Sequence, residues 1–290
     1  MNGPFLAYYV RGNLQSEISK VAQGDSVVHL YPAQLERLQL AVPPTLGEQK
    51  KIADCLTSLD DLIQAEGEQL ASLKDYKRGL MQKLFPRSDE ATPRLRFPEF
   101  RDAGTWDVKR LGEVCQINPP SGPLPESFFY IDLESVVSGE WILRKRIFRD
   151  AAPSRAQRIL ESGDIIFQMV RPYQKNNLLF TSEVGQEYVA STGYAQLRAK
   201  DSSSFLYQLV HTESFTNAVL EKCTGSNYPA ISSSDLAEVW VSVPGLPEQQ
   251  KIADCLTALD ELIRAQSGRI KAHKGHKRGL MQQLFPQEVG

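Results

Sequence analysis

The chain has 290 residues, of which 41% are hydrophobic and 23% charged, and its formal net charge is −2. This composition predicts a folded protein with one or two hydrophobic cores, and no apolar run approaches the roughly 18 residues that a membrane-spanning helix needs. Because the four cysteines are scattered and the N-terminus lacks the basic and apolar regions of a signal peptide, we expect a cytoplasmic protein with neither disulfides nor a cysteine-based zinc site.

An internal duplication is the strongest feature of the sequence. Residues 46–86 and 246–286 align without a gap at an offset of 200, and 25 of their 41 positions are identical. Weaker similarity continues upstream, where the matched stretches are 5–10 with 205–210 and 35–44 with 236–245. One part of the duplicated unit has stayed nearly constant while the part before it has diverged, which indicates a shared structural role for the two conserved repeats.

Each conserved repeat is predicted to form one long helix. Its apolar residues recur at steps of three, four or seven, which is the spacing of a heptad seam. In the first repeat they are Ile52, Leu56, Leu59, Ile63, Leu70, Leu73, Leu80 and Leu84, and the second repeat is apolar at all but one of the equivalent positions. Thr45-x-x-Glu48 is a capping-box pattern, and Pro86 and Pro286 end the helices, so each would be roughly 57 Å long.

The two helices are predicted to pair with each other in antiparallel orientation. Two ordinary core helices would also carry apolar stripes, but these seams match position for position and are too narrow to be enclosed on all sides. A duplication implies a pseudo-two-fold axis, which makes paired repeats antiparallel. Glu66 and Gln266 interrupt the seams at equivalent positions near the helix midpoints, so we expect them to meet as one polar layer that fixes the register.

The motifs in and between the repeats resemble a known family. A stretch that begins V-P and continues E-Q-x-K-I-A occurs at Val42–Asp60 and Val243–Asp260, and K-R-G-L-M-Q-x-L-F-P occurs at Lys77–Pro86 and Lys277–Pro286. Between the copies lie RLRFPEF, SGDIIF, STGY and TGSNYPAIS, at residues 94–100, 162–167, 191–194 and 224–232. Taken together, this series resembles the conserved regions and one target recognition domain of specificity subunits from Type I restriction-modification systems.

The resemblance implies an α+β fold, with one mixed target recognition domain and two long antiparallel coiled-coil helices. The expected divisions are a remnant of a first recognition domain, a central conserved helix, a complete recognition domain and a C-terminal conserved helix, at residues 1–44, 45–86, 94–244 and 245–286. Because 1–44 matches only the tail of a recognition domain, we expect one complete DNA-binding domain where the family has two.

The same resemblance implies a non-catalytic DNA-binding adaptor. Each recognition domain of the family binds one half of a split site in double-stranded DNA. Modification subunits, which bind S-adenosylmethionine and methylate adenine, dock on the adaptor, and a restriction subunit completes the complex. For this chain we therefore expect no cofactor or metal of its own and no membrane association. Two copies would form a homodimer to cover a symmetric site.

A basic segment and three polar loops are the candidate DNA contacts. Residues 144–175 carry eight basic and three acidic side chains, a net charge of +5, although 94–244 as a whole is not basic. The candidates are Lys145, Arg146, Arg171, Tyr173, Lys175, Asn176, Asn177, Ser191, Thr192, Tyr194, Thr224, Ser226, Asn227 and Tyr228. Arginine and asparagine can bond guanine and adenine, and lysine suits phosphate. A solvated surface with ordinary polar turns is the alternative interpretation.

The repeated helix ends are candidate docking surfaces for the modification subunit. Glycine inside a helix is unfavourable, and its duplication indicates close approach of a partner. The candidates are Arg78, Gly79, Met81, Phe85, Arg278, Gly279, Met281 and Phe285. Fraying before the terminal prolines is the alternative. The tryptophans Trp106, Trp141 and Trp240 are expected in the core rather than as platforms for DNA bases.

Two other functions stay open at this point. The chain could be a coiled-coil scaffold or silent recombination cassette without DNA binding, from which the basic segment and polar loops distinguish it. It could also be an enzyme whose site escapes recognition. The sequence lacks the N/D-P-P-Y/F methyltransferase motif, a P-loop and the G-x-S-x-G and H-E-x-x-H patterns, so we expect no catalysis by the chain itself.

Overall fold

The computed structural model describes residues 1–12, 14, 18, 31, 33, 36 and 40–285, and it divides into two compact units. The first unit comprises Met1–Asp75 and Glu261–Gly290, and the second comprises Tyr76–Asp260. The fold is α+β with two long helices, as the sequence predicts. These helices, α2 (Leu46–Leu84) and α7 (Leu246–Leu284), have 39 residues each, and each contributes to both units.

In the first unit, α1 (Gly3–Gly12) packs beside the N-terminal part of α2 and the C-terminal part of α7. Phe5, Ile52, Leu56 and Phe285 are buried together. The ring centroids of Phe5 and Phe285 are 5.3 Å apart, and Tyr9 lies at the same distance from Phe285. Phe5 is the aromatic residue that FLAYYV shares with FLYQLV, and its equivalent Phe205 is also buried, which accounts for the retention of phenylalanine at this position.

The two long helices pair in antiparallel orientation within this unit. The Nζ of Lys277 donates to both carboxylate oxygens of Asp60, at 2.5 and 2.6 Å. Further along, the side-chain amide of Gln266 donates to the backbone oxygen of Glu66 at 3.0 Å, and both residues are buried. Residue numbers rise along α2 from Asp60 to Glu66 while those of their partners fall along α7 from Lys277 to Gln266, so the helices are antiparallel. Glu66 and Gln266 lie in contact. Arg269 pairs with the Glu66 carboxylate at 2.6 Å.

The second unit contains a split β-structure and short helices. Its strands in chain order are β1 (Asp107–Arg110), β2 (Cys115–Ile117), β3 (Ser127–Ile131), β4 (Val136–Val137), β5 (Glu140–Trp141), β6 (Lys145–Phe148), β7 (Ala156–Ile159), β8 (Ile165–Gln168), β9 (Leu178–Leu179), β10 (Tyr188–Ser191), β11 (Tyr194–Ala199) and β12 (Trp240–Val243). The helices are α3 (Leu111–Val114), α4 (Ser203–Leu209), α5 (Glu213–Glu221) and α6 (Ser233–Ala237). Three 3-10 turns are Pro98–Phe100, Arg149–Ala151 and Pro172–Gln174.

The strands form two four-stranded sheets and two smaller pairs. One sheet has the order β2-β11-β8-β9 and is antiparallel throughout. The other has the order β6-β3-β10-β7, in which β3 and β10 are parallel and the outer pairs antiparallel. The strands β1 and β12 pair with each other, as do β4 and β5. The mixed sheet is the one that organises the candidate site.

Two of the three buried clusters in the described part of this unit meet at strand β8. The larger one packs the C-terminal end of α2 and the start of α7 against α4, and includes Phe85, Trp106, Phe205 and Leu256. The second lies between the four-stranded sheets and includes Tyr194. Strand β8 contributes to both clusters, since Ile165 and Phe167 belong to the first and Ile166 to the second. Because both faces of β8 are buried, the strand carries the three consecutive apolar residues with which SGDIIF ends.

One tryptophan contradicts the sequence-based expectation. Trp106 is buried and Trp141 partly buried, but Trp240 is 58% exposed. In β12, Val241 and Val243 face inward, so Trp240 lies on the opposite face of the strand, towards solvent. The guanidinium of Arg110, which is the pairing partner of Trp240 across the strands, lies 5.3 Å above its ring. Trp240 is therefore a surface residue covered by a cation.

Candidate nucleic-acid interface

The mixed sheet brings basic residues to one of its edges. Strands β3 and β10 run parallel and end together, and β6 and β7 begin at that same edge because they are antiparallel to them. Lys145 lies opposite Tyr130 at the end of β3, and Arg155 immediately precedes Ala156, which lies opposite Ser191. Arg149 follows the other end of β6, where its backbone N–H donates to Glu126. Lys145 and Arg155 are thus at the edge where β10 enters the STGY turn.

Backbone hydrogen bonds join the three predicted loops into one surface. The N–H of Met169 donates to Gly193 at 3.0 Å, and that of Ile231 donates to Met169 at 3.1 Å. The N–H of Arg171 donates to Pro229 at 2.7 Å. Segments 169–177, 191–194 and 224–231 are distant in sequence but contiguous here. The N–H of Thr192 also donates to Arg155 at 2.8 Å, which connects the surface to the sheet edge.

The loop after β8 has an unusual backbone. Arg171 has φ 55° and ψ 54°, and Lys175 has φ 54° and ψ 32°, on either side of the 3-10 turn Pro172–Gln174. Both residues occupy the left-handed region, which is unfavourable for side chains other than glycine and is concentrated at functional sites. Pro172 is buried at the base of the turn, while Tyr173 is 48% exposed at its tip. The turn therefore presents Tyr173 to solvent from a restrained backbone.

Arg171 is stacked on an exposed tyrosine. The guanidinium carbon lies 4.2 Å from the ring centroid of Tyr228, and Tyr228 is 65% exposed. The Nε of Arg171 is buried and has no hydrogen-bond acceptor among the described residues. Thr224, Ser226 and Asn227, which belong to the same loop as Tyr228, are exposed. This cluster combines a fixed cation, an aromatic ring and short polar side chains.

Most of the basic side chains around this surface lack a carboxylate partner within the described part of the chain. Lys145, Arg146 and Arg155 are exposed, and none of them forms an ion pair with a described residue. Arg144 is the exception, since it pairs with Glu183 at 2.8 Å. The surface therefore carries positive charge that its described neighbours do not neutralise, which attracts polyanions.

Three of the candidate DNA contacts are buried, which corrects the sequence-based expectation for them. Asn177 and Tyr194 are 0% exposed and Ser191 is 4% exposed. Asn177 Oδ1 accepts from the backbone N–H of Gln168 at 2.8 Å, and the Tyr194 hydroxyl donates to Asp132 O at 3.2 Å. Burial raises the pKa of Tyr194 well above its usual value. These side chains are buried beneath the loops and are not exposed on the candidate DNA-binding surface.

Lys175 and Asn176 also act within the loop. The Nζ of Lys175 donates to the backbone oxygen of His211 at 2.9 Å, and burial lowers the pKa of this amine. Asn176 Oδ1 accepts from the N–H of Ser138 at 3.1 Å, which attaches the β4–β5 turn to the loop. Lys175 is therefore a positioning residue rather than the phosphate contact that the sequence suggested, because its ammonium group is committed to a backbone oxygen.

His211 is a supporting residue that sequence reasoning missed. Its Nδ1 lies 2.7 Å from the Tyr207 oxygen, and its Nε2 lies 3.5 Å from the Nδ2 of Asn177. An amide nitrogen can only donate, so this arrangement requires a neutral ring with the proton on Nδ1. Burial lowers the pKa of His211 to about 4. Nothing in the local sequence distinguishes this histidine, because its side-chain partner Asn177 lies 34 residues away in the chain.

The predicted docking residues differ in accessibility. In the second unit Phe85 is buried against Trp106 and Phe205, and in the first unit Phe285 is buried against Phe5. These phenylalanines hold their own units together, which corrects their assignment as partner contacts. Arg78 and Arg278 are exposed, and nothing lies within 4 Å of a Cβ placed on Gly79 or Gly279. A cavity of about 430 Å³ lies beside Arg78 and Met81.

Two kinds of site are not found in the described part of the chain. Its histidine, cysteine and carboxylate side chains form no group of three that could hold a metal ion. Nor does any described helix have the length and apolar character needed to cross a membrane.

Comparison with known proteins identifies matches over nearly the whole chain. The family model described as "Type I restriction modification DNA specificity domain" matches residues 2–75 and 103–272. The specificity subunit of the Type I restriction enzyme MjaVIII from Methanocaldococcus jannaschii is 23% identical over 288 residues, covering 95% of this chain and 68% of that protein. The specificity subunit of EcoDI from Escherichia coli is 23% identical over 276 residues, covering 86% and 60%. The chain thus spans about two thirds of the length of these relatives.

A solved structure has the same fold. The crystal structure of a Type I restriction-modification system S subunit from M. genitalium superimposes with a TM-score of 0.65 at 18% identity. The match covers 100% of this chain and 74% of that one. The likeness therefore extends to both units of the chain at the level of fold.

Proposed function

Because the chain belongs to the Type I restriction-modification DNA specificity family, we propose that it is a non-catalytic adaptor that binds one half of a bipartite site in double-stranded DNA. The observation that carries this proposal is the surface formed by the three joined loops. It combines an arginine stacked on Tyr228 with Lys145 and Arg155, two exposed cations that lack carboxylate partners among the described residues. Unpaired cations supply affinity for phosphate, and polar groups supply sequence discrimination.

The adaptor would act through partner subunits. The relatives are named as specificity subunits of restriction enzymes, which supports a role as one component of a larger complex. We propose that a modification subunit carrying S-adenosylmethionine docks on the paired helices, and that a restriction subunit joins this complex. Arg78 and Arg278, which are exposed, are two of the docking candidates. The recognition domain of residues 94–244 would bind one half of the site, and we propose that a second copy of the chain binds the other half.

DNA binding at the sheet edge can be tested by charge reversal. The chain, alone and with the modification subunit of its host, is titrated with duplex DNA at several salt concentrations. We expect the affinity of the wild type to fall steeply with salt. The slope of the logarithm of the association constant against the logarithm of salt concentration should decrease in magnitude by about 0.9 for every phosphate that a variant no longer neutralises. The double variant Lys145→Glu with Arg155→Glu should bind at least tenfold more weakly.

Arg149→Glu is the matched control for this experiment. Arg149 is equally exposed and equally lacks a described carboxylate partner, but it lies at the opposite end of β6. It should leave affinity within about twofold of the wild type. If the wild-type chain binds no duplex in a salt-dependent manner, with or without the modification subunit, the proposal fails and a scaffold without DNA binding is the better description.

A further inference from the structure

We propose that Arg171, stacked on Tyr228, recognises the major-groove edge of one guanine in the DNA site. This inference rests on the proposed DNA-binding function and adds to it a base and the side chain that recognises it. Among the described arginines of the interface, Arg171 differs from the others in being restrained at both its backbone and its guanidinium group.

The backbone of Arg171 is held by segment 224–231. Its N–H donates to Pro229 at 2.7 Å, and the preceding Val170 forms a bridge with Ala230. The following residue is the buried Pro172, whose ring favours extended backbone in the residue before it, so Arg171 adopts the left-handed conformation against this preference. The hydrogen bond to Pro229 and the neighbouring bridge therefore maintain the left-handed conformation of Arg171. Such a residue projects its side chain from a defined point, which discrimination between bases requires.

The guanidinium group is also oriented. Stacking over Tyr228 restrains its plane, and the Nε side is buried without an acceptor among the described residues. This leaves the two terminal nitrogens as the donors that a ligand can use. Two parallel N–H groups match the O6 and N7 acceptors of guanine, and among the four bases only guanine presents two adjacent acceptors in the major groove.

A base is favoured over a phosphate because the surface already has other groups for phosphate. Lys145 and Arg155 lie at the sheet edge on exposed side chains that can follow the DNA backbone. Phosphate contacts tolerate such mobility, whereas base recognition depends on fixed geometry. The upstream copy of the loop has Val27 at the position equivalent to Tyr228, so the aromatic support belongs to the complete recognition domain alone.

The test measures discrimination at each base pair. The wild-type chain with its modification subunit selects from duplexes with a randomised centre, and the preference at every position is scored. The same selection is repeated with Arg171→Lys, Arg171→Ala and Tyr228→Ala, after thermal unfolding shows that each variant is folded. The wild type should prefer guanine at one position by about five- to a hundredfold. Arg171→Lys keeps the charge but removes the two-donor edge, so this one preference should collapse towards unity while the others persist.

Arg155→Ala is the control, since removing a group that binds phosphate should weaken binding to all sequences alike. Tyr228→Ala should reduce the same guanine preference that Arg171→Lys removes. A uniform loss of affinity in Arg171→Ala, or a guanine preference retained in Arg171→Lys, would overturn the assignment while leaving the DNA-binding proposal intact. Absence of any sequence preference in the wild type would instead refute the proposed function.

Discussion

The Nζ of Lys277 lies 2.5 and 2.6 Å from the two carboxylate oxygens of Asp60, and the hydroxyl of Tyr8 donates to the same carboxylate at 2.7 Å. Burial alone would raise the pKa of Asp60, but the hydrogen bonds from Lys277 and Tyr8 outweigh it and lower this pKa. In the second unit the equivalent residues repeat the arrangement. Lys77 donates to the two carboxylate oxygens of Asp260 at 2.6 and 2.7 Å. The side-chain amide of Gln208 donates to the same carboxylate at 2.8 Å, as the Tyr8 hydroxyl does to Asp60.

Lys277→Met should lower the free energy of unfolding by about 1 kcal/mol, because it leaves the partly buried Asp60 without its ammonium partner. Lys50→Met is the matched control, since Lys50 pairs with Asp54 on the same helix face at high exposure and should change stability by less than about 0.5 kcal/mol. Urea denaturation measures both. Because the folded pKa of Asp60 is lowered, the contribution is present above about pH 4 and declines as pH falls below that value. Equal effects of the two variants would contradict this account.

The stability of the second unit should depend on the charge state of His211. Its folded pKa of about 4 lies below the usual value of 6.5, so the unfolded chain binds the proton more strongly. The stabilisation is therefore present above pH 6.5 and is lost as pH falls towards 4, by up to about 3 kcal/mol. Denaturation at a series of pH values would detect this slope. In His211→Gln the slope between pH 6.5 and 4 should be smaller, and an unchanged slope would mean that other groups cause it.

Gly139 should tolerate alanine less well than Gly185. Both have positive φ, 80° and 76°, so either substitution costs about 1 kcal/mol in backbone strain. A Cβ on Gly139 would also lie 2.6 Å from the Tyr207 hydroxyl, whereas nothing lies within 4 Å of one on Gly185. We expect Gly139→Ala to cost about 2 kcal/mol in total. Thermal unfolding of the two variants compares them directly, and equal costs would show that Tyr207 moves aside freely.

Phe85→Ala should destabilise the protein by about 3–4 kcal/mol, because it removes a buried ring that packs on Trp106 and Phe205. Arg278→Ala, an exposed change in the equivalent motif, should alter the free energy of unfolding by less than about 0.5 kcal/mol. Chemical denaturation gives both values. A small effect of Phe85→Ala would return this residue to the set of candidate partner contacts.

Local patterns in the sequence predicted the helices well. The heptad seam and the terminal prolines depend on residues close together in the chain, and α2 and α7 extend over nearly the whole of both repeats. The duplication also indicated which residues would face each other, since equivalent positions of an antiparallel pair meet near the midpoint. Glu66 and Gln266 are in contact for this reason. The hydroxyl of Thr45 accepts from the Glu48 N–H at 3.2 Å, as the capping pattern suggested.

The candidate site was predictable as a set of segments but not residue by residue. Polar composition identified the loops around 171, 192 and 228, and it could not show which side chains face inward. Tyr194 and Asn177 are buried because strands far apart in sequence pair around them. Such long-range pairing leaves no local signal. Trp240 is a different case, since the alternation of Val239, Val241 and Val243 already placed it on the opposite face of its strand.

Besides the lysine, each helix aspartate has a donor from the divergent part of the duplicated unit, and this limits how freely that part can be exchanged. Tyr8 and Gln208 are chemically different, yet each donates one hydrogen bond to a carboxylate supplied by a conserved repeat. Any recognition module grafted between these repeats would have to carry a side chain of suitable length with an O–H or N–H at this point. A graft with leucine there should leave the lysine as the one remaining side-chain donor to the carboxylate, and the module should pack less stably against the helices.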